Sequence, residues 1–237
     1  MKPIVVAPTR READALRWGA LVCTNDVDIA QALAGGEPGE ALLIAGVCGG
    51  LDPSLPSGSI ILARGVSTPA APEITSDAGV FAAVRNVLRA RRISFVSSTL
   101  LTVDRPVASR VEKTALWNTF GAAGVDMETY ELAAAAARRN IPWLALRVVL
   151  DPSGGALPAS LRDWRPASSE SDILRRVGRR PWEWPATARL ALQMRTACRV
   201  LRRTVDIVLP EIASMQTAHD DGAPDRGVMI TLDAALR

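Results

Sequence analysis

The chain has 237 residues, of which 48% are hydrophobic, and a formal net charge of +3, so it is long enough to bury the core of one large α/β domain. No run approaches the roughly 18 consecutive apolar residues of a membrane span, and the N-terminus becomes charged too early for a signal peptide, so we expect a cytoplasmic protein. The cysteines, Cys23, Cys48 and Cys198, are widely spaced without a C-x-x-C pair. They predict free thiols rather than disulfides or a metal site.

Strands and helices alternate along the first half of the chain. Residues 4–7 form an apolar run typical of a buried strand, and Thr9 with Glu12 three residues later has the spacing of a helix capping box. Hydrophobic periodicity predicts further strands at residues 41–47, 58–64 and 93–101, and a helix at residues 80–92.

The second half continues the alternation and then becomes rich in arginine. A run of alanines predicts a helix at residues 129–140, and an apolar strand that contains Arg147 follows at residues 144–150. After a loop rich in Pro, Ser and Gly, two arginine-rich helical stretches are predicted, at residues 172–180 and 186–209.

This order of elements predicts an α/β fold, a single three-layer domain with a central mixed β-sheet flanked by helices. We expect the domain to span residues 1–210, with a divergent Trp/Arg-rich segment at 152–203. Residues 211–237 are expected to form a partly disordered C-terminal tail.

Turns that follow strands are where open α/β sheets bind ligands, and three such turns carry candidate site residues. In the first, Cys48 and Gly49 belong to a Gly-Gly turn whose backbone N–H groups can approach a ligand closely. Glu128 lies at the start of the alanine-rich helix. Asp151 comes directly after the apolar strand predicted at residues 144–150. Each also has an ordinary explanation, a tight turn for the glycines and Asp151 and a helix-dipole partner for Glu128.

Three segments together resemble the nucleoside phosphorylase and nucleosidase superfamily. They are VVAPTRREADAL at residues 5–16, GVCGGLDPSLPSGSIILA at 46–63 and GVDMETYELAAAAARRNIPWLALRVVLD at 124–151. Three motifs in the family's order are more specific than any one of them. The resemblance implies a homo-oligomeric enzyme that breaks the N-glycosidic bond of a purine nucleoside, without a metal or another cofactor.

The same resemblance implies roles for four residues. Asp151 takes the place of the general acid that protonates N7 of the purine, and Glu128 that of the carboxylate that holds the ribose hydroxyls. Met127 matches the residue that packs beneath the sugar. Glu12 matches the carboxylate that orients or deprotonates water in the nucleosidases, although the capping box alone would also explain a glutamate there.

The loop TVDRPV at residues 102–107 corresponds to the family's base-pocket loop. It offers Val103, Pro106 and Val107 as walls of the pocket. A plain surface loop is the alternative.

Val47 departs from the family pattern, because many members carry a Ser or Thr hydroxyl just before the small residue and two glycines. Loss of that hydroxyl weakens a phosphate site and favours hydrolysis over phosphorolysis. Phosphorolysis stays open because Arg10, Arg11 or Arg64 could bind phosphate instead.

The segment after Asp151 resembles the hopanoid-associated branch, whose members release adenine from adenosylhopane. From residue 162 to 203 it holds eleven arginines against four acidic residues, a net charge of +7, together with Trp164, Trp182 and Trp184. This composition suits a lipid-like 5′ group and contact with a membrane surface.

Burial of the tryptophans in a core or lid is one alternative to this interpretation of the segment. A binding protein without catalysis, which uses the basic segment to hold nucleic acid or membrane, is the other. An enzyme, with no nucleic-acid partner, is favoured because Glu128 and Asp151 are both present.

Overall fold

The computed structural model describes residues 3–16, 20–22, 40–161 and 175–215. Its strands are β1 (Pro3–Ala7), β2 (Leu21–Val22), β3 (Ala41–Gly50), β4 (Ile60–Thr68), β5 (Ala71–Thr75), β6 (Val96–Thr102), β7 (Gly124–Asp126) and β8 (Trp143–Asp151). Its helices are α1 (Arg10–Ala15), α2 (Ala78–Ala90), α3 (Arg110–Phe120), α4 (Thr129–Arg138) and α5 (Trp184–Ser214), with 3₁₀ turns at Ala159–Leu161 and Pro181–Glu183. Of the predicted tail, residues 211–214 continue α5 instead, and residues 216–237 lie outside the described residues, as does the start of the first arginine-rich stretch.

The strands form one mixed sheet with β3 near its centre. β3 is parallel to β1 and β8 and antiparallel to β7, while β4 is parallel to β6 and antiparallel to β5 and β8. Since β6 also pairs with β7, the pairings β3–β8–β4–β6–β7–β3 close a ring. Within it, Gly49 is paired with both Val125 of β7 and Asp151 of β8, so the ends of three strands meet at one point.

Alternate residues of the sheet enter two separate cores. On one face, Leu43 and Ala45 of β3 pack in a cluster with buried residues of α2 and α5. On the other, Leu42 and Ile44 pack in a cluster with the alanine-rich α4. This alternation is the period of two expected of a strand buried on both faces. It confirms the predicted fold, a central mixed sheet between layers of helices.

β3 extends beyond its predicted end. The turn predicted at Cys48 and Gly49 is instead the last part of the strand, which ends at Gly50. Pairing of Gly49 and Gly50 with β7 holds these residues extended. The prediction of a Gly-Gly turn was therefore wrong, because cross-strand hydrogen bonds outweigh the local preference of glycine for turns.

Four elements were not predicted, namely β2, β5, β7 and α3. β7 has only three residues, too few to show a period. α3 has a polar sequence in which Lys113 is the one buried residue, so it lacks an apolar stripe.

α5 has two dissimilar halves. Its buried residues all lie between Ala197 and Ile212, where they join the core, whereas the stretch from residue 184 to 196 has none. No helix among the described residues has the length and apolar content needed to cross a membrane. The first half of α5 lies along the cavity that contains the candidate site.

Candidate active site

A cavity of about 550 Å³ opens where β1, β3, β6, β7 and β8 end. All ten residues proposed from the sequence line it, namely Glu12, Val47, Cys48, Gly49, Val103, Pro106, Val107, Met127, Glu128 and Asp151. They come from four separate segments of the chain. The structure thus brings the sequence motifs together at one place, as expected of ligand sites at strand ends.

Asp151 ends β8 and its side chain is almost fully buried. Its Oδ2 accepts a hydrogen bond from the Lys113 ammonium, which also donates to the carbonyl oxygens of Asp151 and Pro152 at 3.0 and 3.1 Å. Its Oδ1 lies beside Gly49, where an added Cβ would stand 3.4 Å away. Burial raises the pKa of the Asp151 carboxyl above its ordinary value, although Lys113 acts in the opposite direction.

Glu12 takes part in the helix cap and also lines the cavity. Its backbone N–H donates to Thr9 Oγ1 at 3.3 Å, and the Thr9 hydroxyl donates to Glu12 Oε2 at 2.5 Å, so Thr9 caps α1 as predicted. Its Oε1 meanwhile accepts the backbone N–H of Val47 at 2.6 Å, inside the cavity lining. Burial raises the pKa of Glu12, against the opposing charge of Arg147. A raised pKa makes the ionised form of a carboxyl a stronger base.

Glu128 and Met127 connect β7 to α4 at the cavity wall. Glu128 Oε2 accepts the backbone N–H of Met127 at 3.3 Å. Burial, with the nearby carboxylates Asp126 and Glu12, raises the pKa of Glu128 to about 8, while Arg147 opposes the shift. The carboxyl is thus held at the cavity with its oxygens little used by the protein.

A buried ion pair lies beneath these carboxylates, and sequence reasoning missed its part in the site. Arg147 is fully buried, and its Nη2 stands 2.8 Å from Asp126 Oδ2. Its Nε and Nη2 also donate to Thr129 Oγ1 at 3.2 and 2.6 Å. A Cβ at Gly46 would lie 2.0 Å from Arg147 Nη1, so only glycine leaves room for the guanidinium. The available signal was an arginine inside an apolar strand, since a buried charge requires a partner.

Acidic and basic side chains both surround the cavity. Glu12, Asp126, Glu128 and Asp151 are accompanied among the buried side chains by two cations, Arg147 and Lys113. Arg10 and Arg11 also line the cavity, whereas Arg64, proposed as a phosphate ligand, is exposed on β4 and is absent from the lining. Within the described ranges, no cluster of His, Cys, Asp and Glu is arranged to hold a metal ion.

The cavity also has an extensive apolar wall. Val103, Pro106 and Val107 line one part of it. The divergent segment supplies Leu157, Leu161, Leu190, Ala191 and Met194, from the region after β8 and the first half of α5. The sequence indicated that this segment flanks the site but did not identify these residues.

The tryptophans of the divergent segment are not core residues where they can be seen. Trp182 is 73% exposed and Trp184 is 55% exposed, the latter with its indole N–H donating to Val177 O at 3.1 Å. Trp164 lies outside the described residues. The alternative that Trp182 and Trp184 fold back into a core is therefore wrong, because their rings remain in contact with solvent.

These features define an α/β protein whose cavity gathers buried carboxyls at the ends of its strands, beside an apolar wall. The chain matches the sequence model of the Phosphorylase superfamily over residues 30–172, more than half of its length, and it belongs to that family. The superfamily predicted from the three motifs is confirmed, and with it the prediction of an enzyme of that family.

Several solved structures share the fold. A mutant futalosine hydrolase of Helicobacter pylori has a TM-score of 0.66 at 14% identity, over 89% of this chain and 100% of that chain. A putative 5′-methylthioadenosine/S-adenosylhomocysteine nucleosidase of Francisella philomiragia has a TM-score of 0.65 at 16% identity, over 89% and 99%. The corresponding nucleosidase of Neisseria meningitidis, in complex with methylthio-immucillin-A, has a TM-score of 0.64 at 15% identity, over 91% and 100%. No curated protein matches the chain.

Proposed function

We propose that the protein hydrolyses the N-glycosidic bond of a purine nucleoside and releases the free base. One observation carries this proposal: three carboxyls that are well separated in the sequence, Glu12, Glu128 and Asp151, line one cavity with apolar walls. Paired carboxyls in different environments suit bond cleavage at a sugar, where one acts as acid and another as base. The hydrolase and nucleosidases that share the fold have names consistent with this chemistry.

The reaction divides into the departure of the base and the attack of water. Asp151 transfers a proton to N7 of the purine, and the electron pair of the bond between C1′ and N9 moves onto the base. Positive charge develops on the sugar, where a nearby ionised carboxylate stabilises it. Glu12 accepts a proton from the attacking water, whose oxygen forms the new bond to C1′. One proton leaves Asp151 and one reaches Glu12, so exchange with solvent restores the enzyme.

Water is favoured over phosphate because of what surrounds Val47. The backbone N–H of Val47 could donate a hydrogen bond to an anion, but it already donates to Glu12 Oε1 at 2.6 Å. A phosphate dianion placed there would meet the charge of Glu12, and the buried Arg147 is not among the residues that line the cavity. Phosphorolysis remains the alternative reaction, with Arg10 and Arg11 of the cavity lining as candidate phosphate ligands.

Glu128→Gln should weaken the cleavage of ribosides more than that of 2′-deoxyribosides. An ionised carboxylate accepts hydrogen bonds from both ribose hydroxyls, and each bond to a charged group contributes about 1.5 to 3 kcal/mol. Because the pKa of Glu128 is raised to about 8, the ionised fraction and hence kcat/KM for ribosides should rise with pH through that range. The measurement is kcat/KM against pH for both sugars. An equal loss for both, or an unchanged pH profile in Glu128→Gln, would remove Glu128 from this role.

We further propose that the substrate carries a large apolar 5′ group, with adenosylhopane as the specific candidate. The apolar wall formed by Leu157, Leu161, Leu190 and Met194 supports this proposal, because burial of a hydrocarbon contributes about 0.8 kcal/mol per CH₂. The resemblance of the divergent segment to the hopanoid-associated branch supports it as well. Contact of the Trp/Arg segment with a membrane surface and assembly into a homo-oligomer stay predictions.

A series of 5′-alkyl adenosines tests the nucleophile and the 5′ group together. We expect tighter binding as the alkyl chain lengthens and, in phosphate buffer, a free sugar product rather than a sugar 1-phosphate. The readouts are KM for each chain length and chromatography of base and sugar. An affinity that is flat with chain length would contradict the apolar group, and a sugar 1-phosphate would contradict hydrolysis. Lipid binding without release of base from any nucleoside would favour the binding protein.

Two leucines of α5 provide a matched pair of variants for this series. Leu190 lines the cavity, whereas Leu192, two residues later, is 62% exposed and is absent from the lining. Leu190→Ser should reduce the dependence of KM on chain length, and Leu192→Ser should leave it unchanged. Equal effects of the two would show that the alkyl group binds elsewhere.

A further inference from the structure

Lys113 is a buried cation on a helix whose other residues are exposed or only partly buried. It is the one buried residue of α3, and its side chain has no solvent exposure. A buried ammonium is costly unless it is fully paired, so packing alone does not account for it. Its position therefore indicates a task at the residues it contacts.

The contacts of Lys113 all lie at the end of β8. Its ammonium has three N–H groups, and three acceptors surround it: Asp151 Oδ2 and the carbonyl oxygens of Asp151 and Pro152. Every donor is thus used, as expected of the charged form. The other oxygen, Asp151 Oδ1, is left beside Gly49 at the cavity.

Lysine is rare in this chain, which makes its use here informative. Of 28 cationic residues, 26 are arginines, and the lysines are Lys2 and Lys113. An ammonium is a compact point charge with three diverging donors, whereas a guanidinium is a planar fork. The three acceptors at the end of β8 fit the former.

We propose that Lys113 is the positioning residue for the general acid, a proposal that rests on the proposed function. By holding Oδ2, Lys113 leaves Oδ1 as the oxygen that carries the proton towards the base. When the O–H bond at Oδ1 breaks and the N7–H bond forms, the ammonium stabilises the carboxylate that remains. Lys113 keeps all its protons throughout, so one proton moves, from Asp151 to the base.

The decisive test compares substrates that do and do not need this proton. A 7-methylated adenosine already carries the positive charge that protonation of N7 creates. Lys113→Met should lower kcat for the best 5′-alkyl adenosine by about tenfold or more, within the range of general-acid effects, and spare its 7-methylated counterpart. Both rates come from one preparation, so their ratio does not depend on the fraction that folds. Thr114→Met, at an exposed neighbour on α3, is the control.

A second readout separates this role from a purely structural one. Two ionisable side chains lie near Asp151, the Lys113 ammonium and the Cys48 thiol. The charges of Asp126 and Arg147 also act on the Cys48 thiol. Loss of Lys113 removes the cation that lowers the pKa of Asp151, so the acid form should persist to higher pH. Lys113→Met should therefore combine a lower maximal kcat with a high-pH limb that moves upward.

Lys113→Gln supplies an independent variant, since its amide can still donate to both carbonyls without a charge, and it should behave as Lys113→Met does. The role of Lys113 would be overturned if the variants kept the wild-type kcat for the 5′-alkyl adenosine. An equal loss of kcat on the methylated and unmethylated substrates would overturn it as well. If the wild-type protein released no base from any purine nucleoside, the proposed function would fail and this inference with it. Base release by the wild type and undiminished release by both variants would overturn the inference alone.

Discussion

Asp151→Asn should reduce the release of base from adenosine derivatives by about 10² to 10⁴-fold, the usual contribution of a general acid. The amide is nearly isosteric with the carboxyl, and its oxygen can still accept the hydrogen bond from Lys113. It cannot transfer a proton to N7. The loss should therefore appear in kcat of a folded protein, measured by chromatography of the free base.

The 7-methylated substrate serves as the internal control for Asp151→Asn. Because its base needs no proton at N7, its cleavage should survive the substitution. Thermal unfolding of variant and wild type would show whether the fold is retained. If Asp151→Asn kept more than about a tenth of wild-type turnover on the unmethylated substrate, Asp151 would not be the acid.

Glu12→Gln is expected to lower hydrolysis by a similar factor, about 10² to 10⁴-fold, because the amide cannot accept a proton from water. The substitution preserves an oxygen that accepts the Val47 N–H, so the local structure should hold. The loss should affect the 7-methylated substrate as well, since both substrates need water. This pattern distinguishes the base from the acid.

The acid side of the pH profile provides the second measurement on Glu12. Burial raises the pKa of Glu12, so its base form is lost, as pH falls, at a higher pH than for an ordinary glutamate. Wild-type kcat should decline through that range, and the residual activity of Glu12→Gln should not. Full hydrolytic activity in Glu12→Gln would leave its carboxyl with the capping role alone.

The carboxyl residues of the cavity could be predicted from sequence because they lie after strands within motifs. Glu12, Glu128 and Asp151 each stand at such a position, and the sheet then brings these positions to one cavity. For Glu12, the helix-capping contact does not exclude a place in the cavity lining, since one oxygen binds the Thr9 hydroxyl and the other the Val47 N–H.

The partners of those residues could not be predicted in the same way. Lys113 lies on a polar helix whose pattern indicates a surface location, and its burial depends on where β8 ends. The pairing of Arg147 with Asp126 joins β8 and β7, two strands that are not hydrogen-bonded to each other in the sheet. The part of the apolar wall that α5 contributes depends on which face of this long helix meets the cavity. The sequence does not specify that face, because residues 184–196 include no buried residue.

The ring of strands has a consequence for synthesis of the chain. β8 pairs with β3 along residues 42–49 and with β4 along residues 60–62, so one late strand joins two early ones. Until Trp143–Asp151 has left the ribosome, β3 and β4 each present an open hydrogen-bonding edge, which is the feature that invites aggregation. Such long-range pairing also slows folding. A nascent chain halted before Trp143 would therefore remain without its completed sheet, and chaperones would be needed most during that interval.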